Sequence, residues 1–503
     1  MSDSRQAYES LLAHCRQLAR ISAIHEQLAW DELTMLPDGA TEHRGQQLAY
    51  LAGLQHELNC DPRLEEWLAA AETLAEPAAA RINVAELKRR HRLSQLLPKS
   101  LVEELARVTT TAQHEWALAR EHDDFGRFAI WLQRVVELKR EQARCWSAGN
   151  DLYEPLVAEY EPGLSYATIQ AAFAEIRAQL PEIVQQQLAG QKPSSKLLLQ
   201  GHFPGATQRA LCEQLAGELG FDFRRGRLDT AVHPFTTQIS PHDCRIAIRF
   251  HERNLAPVIS VLLHELGHAL YDQGLPAEHF GEPIGEPISL SVHESQARLW
   301  ENAIGRSEAF WRFLLPQIET AFPDLRGEWT ASQIAAELHR VEPGVNRVEA
   351  DETTYNLHIL LRVELEQALL HGDLAARDLP AAWNDSYHRL LNVTPDSDRE
   401  GCLQDGHWAA GMFGYFPTYT LGNVLMAQLV ECVERELGPL DETFGGELVK
   451  WLARHLFQQG KQLTTAAWAK RLQSEPTNGL DLRPLFRRLG NYSPAPVDGA
   501  GRS

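Results

Sequence analysis

Apolar residues recur at three- and four-residue steps along most of the chain, and this is the period of amphipathic α-helices. The first example comprises Leu11, Cys15, Leu18 and Ile21, and Pro37 is expected to end that helix. Comparable amphipathic segments fill most of residues 60–150, 165–190, 208–219, 296–319, 352–371 and 421–437. The pattern therefore predicts a mainly α-helical protein.

Strand signals are few. The clearest is the segment 245–250, RIAIRF, in which apolar side chains alternate with Arg245 and Arg249. A loop rich in glycine and proline is expected at 274–287, with strong helical patterns on both sides.

One predicted helix, residues 258–273 (VISVLLHELGHALYDQ), contains an HExxH motif. We expect Gly274 to end it in a left-handed cap. His264 and His268 are four residues apart, so both rings project from one face at the spacing that offers two nitrogens to a tetrahedral Zn²⁺. Glu265 lies beside the pair, where its carboxylate reaches a water at the metal without taking a ligand position.

The alternative interpretation of this motif is a pair of histidines on the protein surface. The apolar residues around it, such as Leu263 and Leu266, instead predict a buried helix. Each buried polar group left without a partner costs about 1–3 kcal/mol. A metal ion would satisfy His264, His268 and Glu265 together, so we favour the metal site.

A catalytic zinc needs a third protein ligand. Glu294 follows His268 after 25 intervening residues, in the segment SVHESQARLWEN. Ser291 and Glu294 also fit a capping box, in which the glutamate only caps a helix. Other candidates lie in the 274–287 loop, where a ligand is harder to hold rigidly: Glu278, His279, Glu282 and Glu286. Position alone leaves the ligand and capping roles of Glu294 open.

The predicted fold is a single large helical body with two lobes around a deep substrate cleft. A small β-sheet is expected near the HExxH helix. We expect one domain over residues 1–503, because no linker separates independent parts. Its N-terminal helical part extends to about 230, the metal and substrate part covers about 231–425, and C-terminal helices reach about 491.

Composition and charge narrow the range of partners. Hydrophobic residues make up 44% and charged residues 23% of the chain, as in ordinary globular proteins. The formal charge is −20, and a surface of that sign repels phosphate and anionic lipid. We therefore expect no nucleic-acid and no membrane partner. Seven scattered cysteines and an N-terminus without a secretory pattern favour free thiols and a cytoplasmic location.

Several other segments, besides HExxH, match motifs of a known protein family. They are AWDELTMLPDGATEHRGQQLAYLAGL (29–54), EYEPG (159–163), HPF (233–235), DCR (243–245), HELGHALYDQG (264–274), HESQARLWEN (293–302), RVEADETTYNLHILLR (347–362), QDGHW (404–408) and FGYFPTYTLGN (413–423). In these segments, in this order and over nearly its full length, the chain resembles the carboxypeptidase Taq family of metallocarboxypeptidases.

The resemblance implies that His264, His268 and Glu294 bind one Zn²⁺ per chain, with Co²⁺ or another divalent ion as a possible replacement. It implies that Glu265 is the general base. It also implies a homodimer. One departure is visible, because the family's Asp-x-Arg-x-Thr motif has Ala247 at its last position. That difference leaves substrate contact along this segment open, but not the metal site.

The resemblance further implies that Arg347 grips the terminal carboxylate of a peptide, and a planar guanidinium suits that task. Without the resemblance, Arg347 would equally fit a solvated run of charges. His407, Tyr415 and Tyr419 are implied to line the cleft near the scissile bond, as candidates for stabilising the oxyanion. Their alternative role is in an aromatic core or a dimer contact.

Two further substrate contacts are proposed. They are His233, in the HPF motif, and Arg245, in the DCR motif. Arg245 is the weaker case because it has Asp243 as an alternative partner. The strand that carries it is expected to bind substrate by edge pairing, which would give broad specificity.

The function inferred is a zinc-dependent metallocarboxypeptidase that cuts the C-terminal peptide bond of peptides with a free carboxylate. One alternative keeps the chemistry in an endo-acting or dipeptide-releasing zinc oligopeptidase. A second alternative is a non-catalytic protein that binds metal or peptide.

Overall fold

The computed structural model describes residues 2–74, 77–147, 149, 151–191, 198–475 and 479–490 of the 503-residue chain. Within these ranges the protein is mainly α-helical. The helices are α1 (Ser2–Thr34), α2 (Thr41–Asn59), α3 (Arg63–Ala71), α4 (Ala78–Gln95), α5 (Lys99–His122), α6 (Phe125–Trp146), α7 (Glu154–Tyr160), α8 (Tyr166–Gly190), α9 (Gly205–Glu218), α10 (Ala256–Gly274), α11 (Leu290–Arg298), α12 (Glu308–Ala321), α13 (Ala331–Leu338), α14 (Glu352–His371), α15 (Leu379–Leu391), α16 (Pro417–Leu437), α17 (Leu440–Thr443), α18 (Gly446–His455), α19 (Thr465–Leu472) and α20 (Arg483–Gly490). The prediction of a mainly helical fold is confirmed.

The described residues contain one small sheet. Its strands are β1 (Gly226–Thr230), β2 (Phe235–Ser240) and β3 (Asp243–Ile248), in the order β1-β3-β2. β3 is parallel to β1 and antiparallel to β2. Both β2 and β3 pack on α10, the helix that carries HExxH. The prediction of a small sheet near that helix is therefore confirmed.

The chain folds into two compact units. Unit 1 comprises Met1–Gln95, Leu197–Ala331 and Cys432–Trp468, and unit 2 comprises Leu96–Lys196, Ser332–Glu431 and Ala469–Ser503. The sheet and α10 belong to unit 1. Unit 2 has a large apolar core that includes Trp383, Tyr387 and Phe413, each at most 1% exposed. The substrate cleft and the three-part division of a single domain remain predictions.

One local prediction is wrong. Gly274 is the last residue of α10 and does not have a positive φ, so it forms no left-handed cap. A Cβ there would lie 2.4 Å from a ring carbon of Phe457, so this glycine permits close packing. The capping-box alternative for Ser291 and Glu294 is not observed, because α11 is capped by Ser289, whose side chain accepts from the Val292 amide.

The role expected for the 245–250 strand also needs correction. The strand is observed two residues earlier, as β3, and it is the central strand of the sheet. Because both of its edges pair with neighbouring strands, β3 cannot bind a peptide by edge pairing. β2 is the edge strand on that side.

Within the described ranges, no helix combines the length and the hydropathy that a bilayer crossing requires.

Candidate functional site

Two helices of unit 1 meet without room for a side chain between them. Gly267 lies inside the HExxH motif, and a Cβ at this position would lie 2.5 Å from the Gln296 carbonyl oxygen and 2.6 Å from the Ala297 Cα. Such distances are incompatible with any larger residue unless the backbone moves. Gly267 therefore allows α11 to lie directly against α10, which brings Glu294 to the histidine pair.

His264, His268 and Glu294 converge, although the sequence alone left the role of Glu294 open. Each offers one ligand atom, and these atoms all lie within 4.8 Å of one another. Glu294 is 8% exposed, and the His268 Nε2 is 3.7 Å from its Oε2. Two imidazoles and one carboxylate are the donor set of a catalytic zinc site with one open position.

A second layer of polar side chains contacts two of these three, His264 and Glu294. The His264 Nδ1 donates to the Glu301 carboxylate at 2.8 Å. Arg298 donates from Nε to Glu294 at 2.7 Å and from Nη1 to Glu301 at 3.0 Å. Glu301 lies in a π-helical turn, Leu299–Ile304, that continues α11. Turns of this type often occur at functional sites.

The electrostatics of the cluster favour a cation at the histidine pair. Burial disfavours a charged ring, but the hydrogen bond and charge of Glu301 outweigh it and raise the pKa of His264 to about 9. Burial and the neighbouring His293 and His264 rings hold the pKa of His268 well below its usual value. His268 is thus neutral at pH 7, the form that binds metal. The donor set and its charges therefore fit a divalent metal ion.

Glu265 is buried beside this cluster, only 7% exposed. Burial raises its pKa, while the His264 charge and a hydrogen bond from Thr236 oppose the rise. The Thr236 hydroxyl, on β2, lies 2.8 Å from the Glu265 Oε2 and 3.0 Å from its backbone oxygen. A carboxylate with a raised pKa that is held by one neighbour has the properties of a general base.

Unit 2 contains its own buried ion cluster around Arg347, which is 8% exposed. Arg347 donates from Nη2 to Asp405 at 2.8 Å and from Nη1 to the Tyr355 hydroxyl at 3.1 Å. Arg362, fully buried, donates from Nε to the other oxygen of Asp405 at 2.7 Å. Burial disfavours the Asp405 charge, but the two guanidinium groups hold its pKa well below its usual range. Arg347 is therefore fixed in place, with further N–H groups left to donate.

His407 and Tyr419 lie in the same cluster. The His407 Nε2 is 3.1 Å from the Tyr419 hydroxyl, and its Nδ1 is 3.8 Å from Asp405. The ring of Tyr415 lies 5.4 Å from that of Tyr419 and 5.7 Å from that of His407, measured between centroids. Burial, reinforced by the nearby arginine guanidinium groups, lowers the pKa of His407 to about 4. His407 is thus neutral at pH 7, with Tyr415 and Tyr419 beside it.

The two remaining candidates for substrate contact, Arg245 and His233, lie elsewhere in unit 1. Arg245 donates two hydrogen bonds to Asp243, at 2.8 and 2.7 Å, and its guanidinium stacks 4.3 Å from the centre of the Trp30 ring. These contacts match the alternative pairing considered for Arg245. His233 is exposed in the segment between β1 and β2. Ala247 is fully buried in β3, so a hydroxyl there would lie in the interior of the unit.

Sequence reasoning missed several residues that support both clusters. In unit 1 they are Glu301, Arg298 and Thr236. In unit 2, Asp405 and Arg362 complete the ion cluster. Four of these five lie inside the segments 293–302, 347–362 and 404–408 that carry the family resemblance, and that was their only signal.

Comparison with known proteins gives consistent matches. The family model "Carboxypeptidase Taq (M32) metallopeptidase" matches residues 10–490. Thermostable carboxypeptidase 1 of Thermus thermophilus is 39% identical over 500 residues, covering 96% of this chain and 97% of that protein. Carboxypeptidase 1 of Bacillus subtilis is 32% identical over 457 residues, covering 88% and 91%. The crystal structure of the M32 carboxypeptidase from Deinococcus radiodurans R1 aligns with a TM-score of 0.91 at 33% identity, covering 97% and 99%.

Proposed function

Because the chain belongs to the carboxypeptidase Taq (M32) family of metallopeptidases, we propose that it hydrolyses the C-terminal peptide bond of peptides with broad specificity, using zinc and the general base Glu265. Family membership alone makes it a metallocarboxypeptidase, a peptide hydrolase that depends on a divalent metal. The identity of the metal, the base and the specificity are the proposal.

The observation that carries the proposal is the convergence of His264, His268 and Glu294 within 4.8 Å. These three residues would hold the zinc ion. When bound, zinc supplies Lewis acidity, which lowers the pKa of water to about 7 and polarises a peptide carbonyl. The second-layer contacts of His264 and Glu294 support a fixed coordination geometry, since such partners orient ligands and tune the metal.

Glu265 has the proton-transfer role. Its buried carboxylate takes a proton from the attacking water and delivers it to the leaving amine, a contribution typically worth about 10²–10⁴-fold in rate. The hydrogen bond from Thr236 supports this role, because it orients the carboxylate that must accept the proton.

Arg347 is proposed to bind the terminal carboxylate of the peptide. Asp405 and Tyr355 take some of its N–H groups and fix its plane, and the remaining N–H groups are available for a second carboxylate. His407, Tyr415 and Tyr419 are proposed to donate hydrogen bonds to the developing oxyanion, an interaction worth about 3–4 kcal/mol for a well-placed donor.

Three further properties belong to the proposal. The edge strand β2 supports broad specificity, because pairing with a peptide backbone reads no side chain. All seven cysteines lie in described ranges as free thiols, which supports the reducing environment of the cytoplasm. A homodimer is proposed from the family resemblance, and light scattering of the purified protein tests it.

The test of the proposal compares a peptide with a free C-terminus and the same peptide amidated. We expect single residues to be lost from the free peptide. Amidation should lower kcat/KM about 10- to 100-fold, the range of a charge-assisted hydrogen-bond pair. Arg347→Met should remove this discrimination, whereas Arg340→Met, which changes an arginine paired with Glu342, should keep it. Equal cleavage of both peptides by the wild type would favour the endo-acting alternative.

A further inference from the structure

A fully buried carboxylate in unit 2 has no part in the proposed mechanism. Glu366, on α14, is 0% exposed. It accepts three hydrogen bonds, from the Tyr153 hydroxyl at 2.7 Å, the Trp408 indole N–H at 2.8 Å and the Gly414 amide at 3.1 Å. All three partners are donors, so the site is built for an ionised carboxylate, which only accepts.

Two of these donors lie at the two ends of one loop. Trp408 follows His407, and Gly414 precedes Tyr415, so Glu366 holds the loop beside two of the three proposed oxyanion donors. The loop also packs tightly at its far end. Gly414 has a φ of +84°, and a Cβ there would lie 2.6 Å from the Leu156 backbone, on α7. One carboxylate and one close backbone contact therefore fix this segment.

Burial and the neighbouring groups together set the pKa of Glu366 near neutral pH, so the carboxylate is ionised above that pH. Burial raises the pKa of Glu366 to about 7, against its hydrogen-bond donors and the charge of Lys139. Lys139, on α6, is 4% exposed and lies 4.0 Å from Glu159. The other titratable groups that face the carboxylate are the buried Tyr153 and Tyr160 hydroxyls, whose pKa values burial raises, so both stay neutral.

We propose that Glu366 is a positioning residue for the reaction, whose ionised carboxylate holds residues 408–414 and so sets the positions of His407 and Tyr415. This inference rests on the proposed function, because it matters only if those two side chains act on the substrate. Protonation removes the negative charge and places a hydrogen on one of the acceptor oxygens, so the hydrogen bonds from Trp408 and Gly414 weaken and the loop is held less firmly as the pH falls.

The first test is Glu366→Gln, which keeps the shape but points an amide N–H₂ group at a donor. We expect kcat to fall about 10- to 100-fold, since a shift of about 1 Å in a reacting group costs about that much. Metal content should stay at the wild-type value. The step in kcat near pH 7 that we assign to Glu366 should be lost, while the acid limb that we assign to Glu265 should remain, and amide hydrogen exchange of the 407–415 segment should increase in the metal-free protein. Glu364→Gln, on the same helix but paired with Arg389, should match the wild type.

The second test avoids a strong effect on folding. Tyr153→Phe removes one hydrogen bond to the carboxylate, which raises the pKa of Glu366 further. The step in kcat should therefore move to higher pH by about one unit. Tyr166→Phe removes a hydroxyl that contacts Gln367 instead, so its profile should not move. A purely structural role for Glu366 would lower stability without shifting the pH profile.

The outcomes separate this inference from the proposed function. A wild-type kcat and pH profile in Glu366→Gln overturns the inference, and an unchanged profile in Tyr153→Phe overturns it if the first variant does not fold. His407→Ala serves as the reference. If His407→Ala keeps full activity, the proposed roles fail and the inference fails with them. If it loses activity while the Glu366 variants do not, only the inference fails.

Discussion

His264 donates its Nδ1 hydrogen to the Glu301 carboxylate at 2.8 Å, across 37 positions of sequence. An ionised carboxylate only accepts, so in the neutral imidazole, the form that binds metal, the proton sits on Nδ1 and the lone pair on Nε2. Glu301 therefore selects the tautomer in which Nε2 can bind a metal ion. It also contributes negative charge beside the ligand, which makes the imidazole a stronger donor.

Replacing this carboxylate should weaken metal binding. We expect Glu301→Gln to lower zinc affinity about 10- to 100-fold, because the amide no longer fixes the tautomer or supplies charge. A competition titration with a chromophoric chelator measures the change. Glu308→Gln is the control, since that side chain is about half exposed and pairs with Arg312 at 2.8 Å. Equal affinities in the two variants would show that Glu301 does not tune the site.

A substitution at the contact between α10 and α11 should also affect the metal site. Gly267→Ala forces a methyl group against the Gln296 carbonyl, and such overpacking typically costs about 1–3 kcal/mol of stability. It should also weaken zinc binding, because α11 carries Glu294. Gly217→Ala, on α9, meets only a Phe223 ring carbon at 3.8 Å and should be neutral or slightly stabilising. Urea unfolding and zinc titration of both variants test this prediction, and an undisturbed Gly267→Ala protein would refute it.

The helical period of the apolar residues predicted the bounds of a helix correctly where capping residues stand at both of its ends. The segment predicted at 352–371 is observed as Glu352–His371. Asp351 caps its first turn by accepting from the Thr353 and Thr354 amides, and Gly372 ends it with a φ of +93°. At Gly274 the same reasoning gave a wrong prediction. The glycine is required there by close packing against Phe457 and not by a left-handed turn.

Some residues of the candidate site could likewise be predicted from the sequence, and others could not. His264, His268 and Glu265 follow from one helical turn, so the sequence alone predicts them. Contacts over long separations leave no periodic signal. Arg347 and Asp405 are 58 positions apart, and only the fold brings them to 2.8 Å. Residues of that kind are visible beforehand only through whole-motif resemblance.

A substitution of Glu265 should distinguish catalysis from metal binding. Glu265→Gln should leave zinc content unchanged, because the ligand atoms belong to other residues, and should lower kcat about 10²–10⁴-fold. Metal analysis and a peptide assay on the same sample make the comparison. A wild type that binds zinc but hydrolyses no peptide would support the binding-only alternative, and an active Glu265→Gln variant would show that another group accepts the proton.

The hydroxyl of Thr236 should set the pH at which the base works. Glu265 acts as a carboxylate, so activity is lost as the pH falls through its pKa. Burial raises that pKa, and the hydrogen bond from Thr236 partly opposes the rise. Thr236→Val removes the opposing bond, so the pKa rises further and the acid limb of the kcat profile should move to higher pH, by about one unit.

The neighbouring threonine provides the control for this shift. Successive side chains of a strand point to opposite faces, and the Thr237 hydroxyl donates to Glu26 at 3.1 Å, away from the base. Thr237→Val changes the same atoms one position along β2 and should leave the acid limb in place. If both variants shift the limb equally, the effect comes from the strand as a whole. If neither does, Thr236 does not control the proton affinity of Glu265, and the acid limb must be assigned to another group.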